Sequence, residues 1–177
     1  MINIIVSDIK KALEKECYFS ALALALTLPD ICGKASYNYL GVGERYKKWC
    51  KEFVCEMEKP ISPIGDDMPY RSEEVLYSLR NSFLHQGTPN IDINKITQER
   101  CKIDKFELIL TDANAINSGT AKISYGANMR IVEREQSISI RYICMALCNA
   151  TEKFYAENKE KFDFFNYSII DERSKYF

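Results

Sequence analysis

The stretch from Ser139 to Asn158 restricts most sharply what this chain can fold into. Ile140, Ile143, Cys144, Leu147, Thr151, Phe154 and Tyr155 recur at i, i+3, i+4 and i+7. That period belongs to one face of a helix and predicts a long amphipathic helix over residues 139–158. A face that wide needs other elements to cover it, so the chain reads as mainly α.

Three further helices are expected. Ser7 can cap a helix over residues 7–28, stopped by Pro29. Residues 30–43 read as a connector, with Gly33, Gly41 and Gly43 as breakers. A second helix over 44–58 carries Tyr46, Trp49, Phe53 and Met57 on its apolar stripe and Lys47, Lys48 and Lys51 on its other face. Residues 59–70, with Pro60, Pro63 and Pro69, form a loop. The third helix, over 73–87, opens on Ser72, a natural N-cap, with Glu73 and Glu74 in the dipole-favoured first turn. Gly87 and Pro89 end it.

Before the last helix the period changes. Residues 106–111, 121–125 and 129–132 look like strands around the turn-rich 112–119, giving a β-hairpin over about 105–133. The aromatic-rich tail, 162–177, is expected to pack back on the helices. There is no internal repeat and no low-complexity tract.

At 177 residues, 46% of them apolar and 28% charged, the chain fits one domain spanning 1–177 with a proper core. The apolar run from Cys17 to Leu28 is too short to span a bilayer and reads as a helix buried on all sides. The start, Met1-Ile2-Asn3-Ile4, lacks the basic segment of a secretory signal. No membrane association and a cytoplasmic location are therefore expected.

Seven cysteines is an odd number. Cys17, Cys50, Cys55, Cys144 and Cys148 fall at helical positions, which suits buried thiols in a reducing compartment better than disulfides. Cys50 and Cys55, and likewise Cys144 and Cys148, lack zinc-ribbon spacing. With one histidine in the chain, a bundled di-metal site built on Glu-x-x-His pairs is excluded. No metal and no cofactor are expected. Phosphate-binding loops, dinucleotide fingerprints and the G-x-S-x-G nucleophile turn are missing too, which argues against kinases, dehydrogenases and hydrolases of those types.

The chemistry-bearing segment is Leu79-Arg80-Asn81-Ser82-Phe83-Leu84-His85-Gln86-Gly87. His85, the single histidine, can give or take a proton near neutrality. Arg80 is a permanent cation with a planar fork that suits phosphate. On the 73–87 helix Leu76, Leu79 and Phe83 share the core stripe. Asn81 and His85 are an i, i+4 pair on nearly the opposite face, joined by Glu74 and Ser78. Arg80 lies between the faces, so the trio can converge only in part within one helix, and a second surface is needed. Two plainer roles stay open: a helix-terminal His85 bonding carbonyls, and an Arg80 pairing with a buried carboxylate.

Arg80-Asn81-x-x-x-His85 resembles the R-x4-6-H signature of the HEPN superfamily, in which a polar residue often follows the arginine. The resemblance covers about seventeen residues, Ser72 to Thr88, and elsewhere only a helical plan. It implies a HEPN-like up-and-down helical bundle with the β-hairpin as an insertion absent from the minimal bundle. It further implies a metal-independent endoribonuclease acting as a homodimer, two motifs facing each other across a two-fold axis. In that reading a ribose 2′-OH attacks the adjacent phosphate, His85 moves protons, Arg80 stabilises charge and Asn81 orients the phosphate or His85. A role as a toxin or phage-defence effector with a cognate antitoxin protein fits the same resemblance. The alternative is a non-catalytic module of the same shape that binds a protein, nucleotide or RNA partner.

The net charge of −1 gives no general pull toward nucleic acid, so RNA contact would rest on a local patch. Lys47, Lys48 and Lys51 are the candidates, against the plainer reading of a solvated helix face. Tyr46 and Trp49 fit the core better than base stacking at this spacing.

Overall fold

The longest apolar period forms the helix it dictates. In a computed structural model, which describes residues 1–55, 72–98, 102–112 and 119–164, α6 spans Ile140–Glu157. Ile140, Ile143, Cys144, Leu147, Thr151 and Phe154 are buried, and Tyr155 is half-buried. Ser139 caps the helix, its hydroxyl accepting from the Tyr142 amide at 3.4 Å. The other helices gather around α6: α1 (Ile2–Glu14), α2 (Tyr18–Ala25) and α3 (Leu28–Ser36) all pack on it.

The helix expected over 7–28 is three pieces, and the reason is local. α1 starts at Ile2 and not at Ser7, which brings Ile2 and Val6 into the core. It ends in a Schellman turn: the Cys17 amide reaches the Ala12 carbonyl at 2.8 Å and the Glu16 amide the Leu13 carbonyl at 3.2 Å. The left-handed residue of that turn is Glu16, at φ 56°, where glycine is usual. Cys17 is exposed at this break, contrary to the buried thiol expected. α2 is not buried all round either: Phe19 and Leu24 are 57% and 37% exposed.

Pro29 starts a helix instead of stopping one. It sits in the first turn of α3, where its missing amide has no intrahelical partner to lose. The connector expected over 30–43 is thus helical as far as Ser36. Gly33 lies inside α3 because α4 crosses there: a Cβ would stand 2.9 Å from the Arg45 carbonyl oxygen. α4 spans Val42–Cys50 and runs on as a π-helical turn, Lys51–Cys55. Tyr46 and Trp49 are fully buried, as the stripe requires. Met57 and the proline-rich loop 59–70 lie outside the described residues.

α5 spans Glu73–Gln86, and both of its ends are those the sequence marks. The Ser72 hydroxyl accepts from the Val75 amide at 3.2 Å, and Gly87 takes the left-handed conformation at φ 67°. α5 packs on α4 and α2.

The β region is a three-stranded sheet and not a simple hairpin. β1 (Lys105–Ile109), β2 (Gly119–Tyr125) and β3 (Ile131–Ser139) lie in the order β1-β3-β2. β2 and β3 make the hairpin, while β1 pairs parallel to β3 with Lys105 opposite Glu135. Residues 113–118, Cys101 and the tail 165–177 fall outside the described residues. Phe162 is buried against Phe154, at 5.8 Å between ring centroids, so the start of the tail does pack back. Among the described residues no helix is long and apolar enough to cross a membrane.

Candidate functional site

Arg80, Asn81 and His85 meet within one chain. The Arg80 Nη1 donates to Asn81 Oδ1 at 3.0 Å and lies 2.6 Å from His85 Nε2. A guanidinium can only donate, so Nε2 is the acceptor and the His85 ring proton sits on Nδ1 in this arrangement. His85 is exposed at the C-terminal end of α5, and Asn81 is half-buried. The expectation that the trio converges only in part is therefore corrected. The Arg80 guanidinium bridges α3, through Asp30, and the last turns of α5, through Asn81 and His85.

What holds the head there is Asp30, from the first turn of α3. Arg80 Nε donates to Asp30 Oδ2 at 3.0 Å, and Nη2 lies 2.9 Å from the same oxygen. The two side chains keep only 15% and 20% of their exposure, so this ion pair is mostly shielded from water. Burial pushes the Asp30 carboxyl up, and the Arg80 charge and hydrogen bond, with Arg45 and His85 further off, pull it back only in part. Its other oxygen, Oδ1, is buried without a hydrogen-bond partner among the described residues. The pairing of Arg80 with a buried carboxylate thus coexists with its contact to His85. Of the five guanidinium hydrogens, four have partners among the described residues, and one on Nη2 does not.

The face of α5 carrying Asn81 and His85 is only half open. At its N-terminal end Glu74 and Ser78 are buried under residues 91–98. The Glu74 carboxylate accepts from the Thr97 amide at 2.8 Å, the Thr97 hydroxyl at 2.9 Å and the Gln98 amide at 3.0 Å. Burial acts to raise this carboxyl, but those three bonds and the charge of Lys47 outweigh it and hold it below its usual range. Ser78 trades hydrogen bonds with the backbone of Asp92. The open part of the face is the last turn, at Asn81, His85 and Gln86.

The three lysines divide. Lys47, Lys48 and Lys51 line an open depression of about 520 Å³ together with Glu52, Glu73 and Gln98. Lys48 also lies over the Tyr37 ring, 4.4 Å from its centre. Lys47 alone of the three lines a second, smaller cleft that includes Asn81. No group of three or more His, Cys, Asp or Glu side chains able to hold a metal ion is found among the described residues.

Asp30 is the residue of this cluster that the sequence does not point to. The local signal is Pro29-Asp30, the proline and acid of a helix's first turn, a pair that equally fits the end of the preceding helix. Nothing local ties Asp30 to an arginine fifty positions on. No family model matches the chain, and no curated protein and no solved structure matches it.

Proposed function

We propose that the protein is a metal-independent endoribonuclease of the HEPN type, working as a homodimer. The observation that carries this reading is the Nη1 of Arg80 shared between Asn81 and His85 at the open end of α5. An incoming RNA phosphate competes with His85 for Nη1. Its binding frees His85 Nε2, which can then accept the proton of the ribose 2′-OH. The 2′-oxygen forms its bond to phosphorus, the bond to the 5′-oxygen breaks, and that oxygen leaves as a hydroxyl with a proton from a second acid. Arg80 stabilises the charge that builds on the phosphate oxygens, held in place by Asp30. A second subunit presenting its own His85 would supply the acid, which is the reason for a two-fold assembly.

The test is cleavage of RNA in EDTA by purified protein. His85→Ala and Arg80→Ala should each lower the rate by about a hundred-fold or more, the usual loss when a positioned proton carrier or charge stabiliser goes. Equal rates in wild type and His85→Ala, or cleavage that vanishes in EDTA, would overturn the reading.

A second reading is favoured by one observation. Arg80 gives both Nε and Nη2 to Asp30, a shielded pair that also suits a structural brace in a non-catalytic binding module. In that case Arg80→Ala unfolds the protein and His85→Ala changes nothing but partner binding. A role in toxicity or phage defence, with an antitoxin partner, belongs to the same proposal and is tested by co-expression.

A further inference from the structure

Beside the motif lies a cleft of about 120 Å³ between α4, α5 and the segment around Asp92. It falls below the roughly 300 Å³ at which sites for larger ligands begin. A single planar ring fits that scale, and a whole nucleotide does not.

The chemistry of the walls is mixed and electrically balanced. Lys47 and Lys95 face Glu74 and Asp92, so the four charges cancel. Lys95 is paired with Asp92 at 3.2 Å, and Lys47 acts on the Glu74 carboxylate. A phosphate would find no net positive field here. Apart from Lys47, which acts on Glu74 only through its charge, the groups left unpaired among the described residues are neutral ones. The Oδ1 of Asn81 is taken by Arg80, which leaves its Nδ2 hydrogens, and the exposed Gln86 offers a whole amide. Tyr77 adds an aromatic wall, its ring fixed 5.3 Å from that of Tyr46. Side-chain amides with an aromatic wall are what reads the hydrogen-bonding edge of an unstacked RNA base.

We infer that this cleft is a nucleobase subsite, holding one base of the RNA beside the phosphate bound at Arg80 and His85. The inference rests on the ribonuclease reading and deepens it. Asn81 joins the two sites, since one end of its amide orients Arg80 and the other faces the base. Cleavage would then depend on the base seated next to the scissile phosphate.

The experiment is titration of the full chain, in EDTA, with each of the four nucleoside 5′-monophosphates, with ribose 5-phosphate and with inorganic phosphate. At least one nucleotide should bind about tenfold tighter than ribose 5-phosphate, and Gln86→Ala should remove most of that gap, the worth of about one good hydrogen bond. Gln86 is exposed, so this variant tests binding without disturbing the core. A parallel digest of mixed-sequence RNA should show Gln86→Ala losing site preference. Equal binding of all four nucleotides and ribose 5-phosphate, or tightest binding of inorganic phosphate, would overturn the inference. Digestion that persists with no base preference in wild type would do the same, yet leave the ribonuclease reading standing. Selective, Gln86-dependent nucleotide binding without any digestion would support the base site and sink the ribonuclease reading.

Discussion

Replacing Glu74 with Gln should loosen the hold of α5 on Thr97 and Gln98. The carboxylate takes three hydrogen bonds, from the Thr97 amide, the Thr97 hydroxyl and the Gln98 amide, at 2.8 to 3.0 Å. A bond to a charged acceptor contributes about 1.5–3 kcal/mol, and the helix dipole adds about 0.3–1 kcal/mol in the first turn. A glutamine with its oxygen at the Oε2 position keeps both amide bonds, and its nitrogen can donate to the Thr97 hydroxyl, so what is lost is the charge. We expect a net loss of about 2–3 kcal/mol, since a neutral acceptor contributes about 1 kcal/mol less per bond and relaxation offsets part of the sum. For a chain this size that lowers Tm by about 4–12 °C. Urea unfolding followed by fluorescence reads it well, because Trp49 is the single tryptophan and is fully buried. The folded Glu74 carboxyl lies below its usual range, so its contribution is present above the unfolded pKa of about 4.3 and fades as pH falls through the folded value. The gap between wild type and Glu74→Gln should therefore be full at pH 7 and narrow in acid. Equal midpoints at pH 7, or a gap unchanged on acidification, would refute the reasoning.

Asp30 should behave in the opposite sense. Its carboxyl stands above the usual range through burial, so ionising it costs stability as pH rises from about 4. In denaturation at several pH values, wild type should lose ground relative to Asp30→Asn between pH 4 and neutrality, while RNA cleavage by the variant falls because Arg80 loses its anchor. Gly33→Ala should destabilise by about 1–3 kcal/mol, since the new methyl meets backbone and not a movable side chain; a denaturant midpoint equal to wild type would contradict the close crossing of α3 and α4. Burial pushes the Cys32 and Cys148 thiols up to about 12, and Cys50 and Cys144 upward as well. Iodoacetamide at neutral pH should therefore label Cys17 in the native protein and spare those four, as peptide mass mapping would show.

The sequence was most legible where local chemistry alone decides. The ends of α5 rest on Ser72 and Gly87, and the burial along α6 rests on its period. Both need only near neighbours. The break between α1 and α2 was illegible because Glu16 occupies a position that usually advertises itself with glycine. Pro29 is ambiguous in the sequence because a proline starts a helix as well as it ends one, and the packing of α3 on α6 decides between them. The site followed the same division. Arg80, Asn81 and His85 were readable as a spacing, while Asp30 depends on α3 being a helix at all. The covering of Glu74 and Ser78 depends on a segment with no period of its own.

The order β1-β3-β2 has a consequence for the newly made chain. β1 leaves the ribosome first, but its partner is β3, so Lys105 must wait for Glu135, thirty residues later. At about 5–20 residues per second that wait lasts on the order of 2–6 s. During it β1 is an unpaired edge, open to any other strand within reach. Lys105 and Glu107, half-exposed and charged, guard it against wrong pairing, as charges do on natural edge strands. α6 follows directly from β3 through Ser139, so the sheet closes only as the central helix is being completed. The helices α1 to α5 thus leave the ribosome before the partner on which α1, α2 and α3 pack.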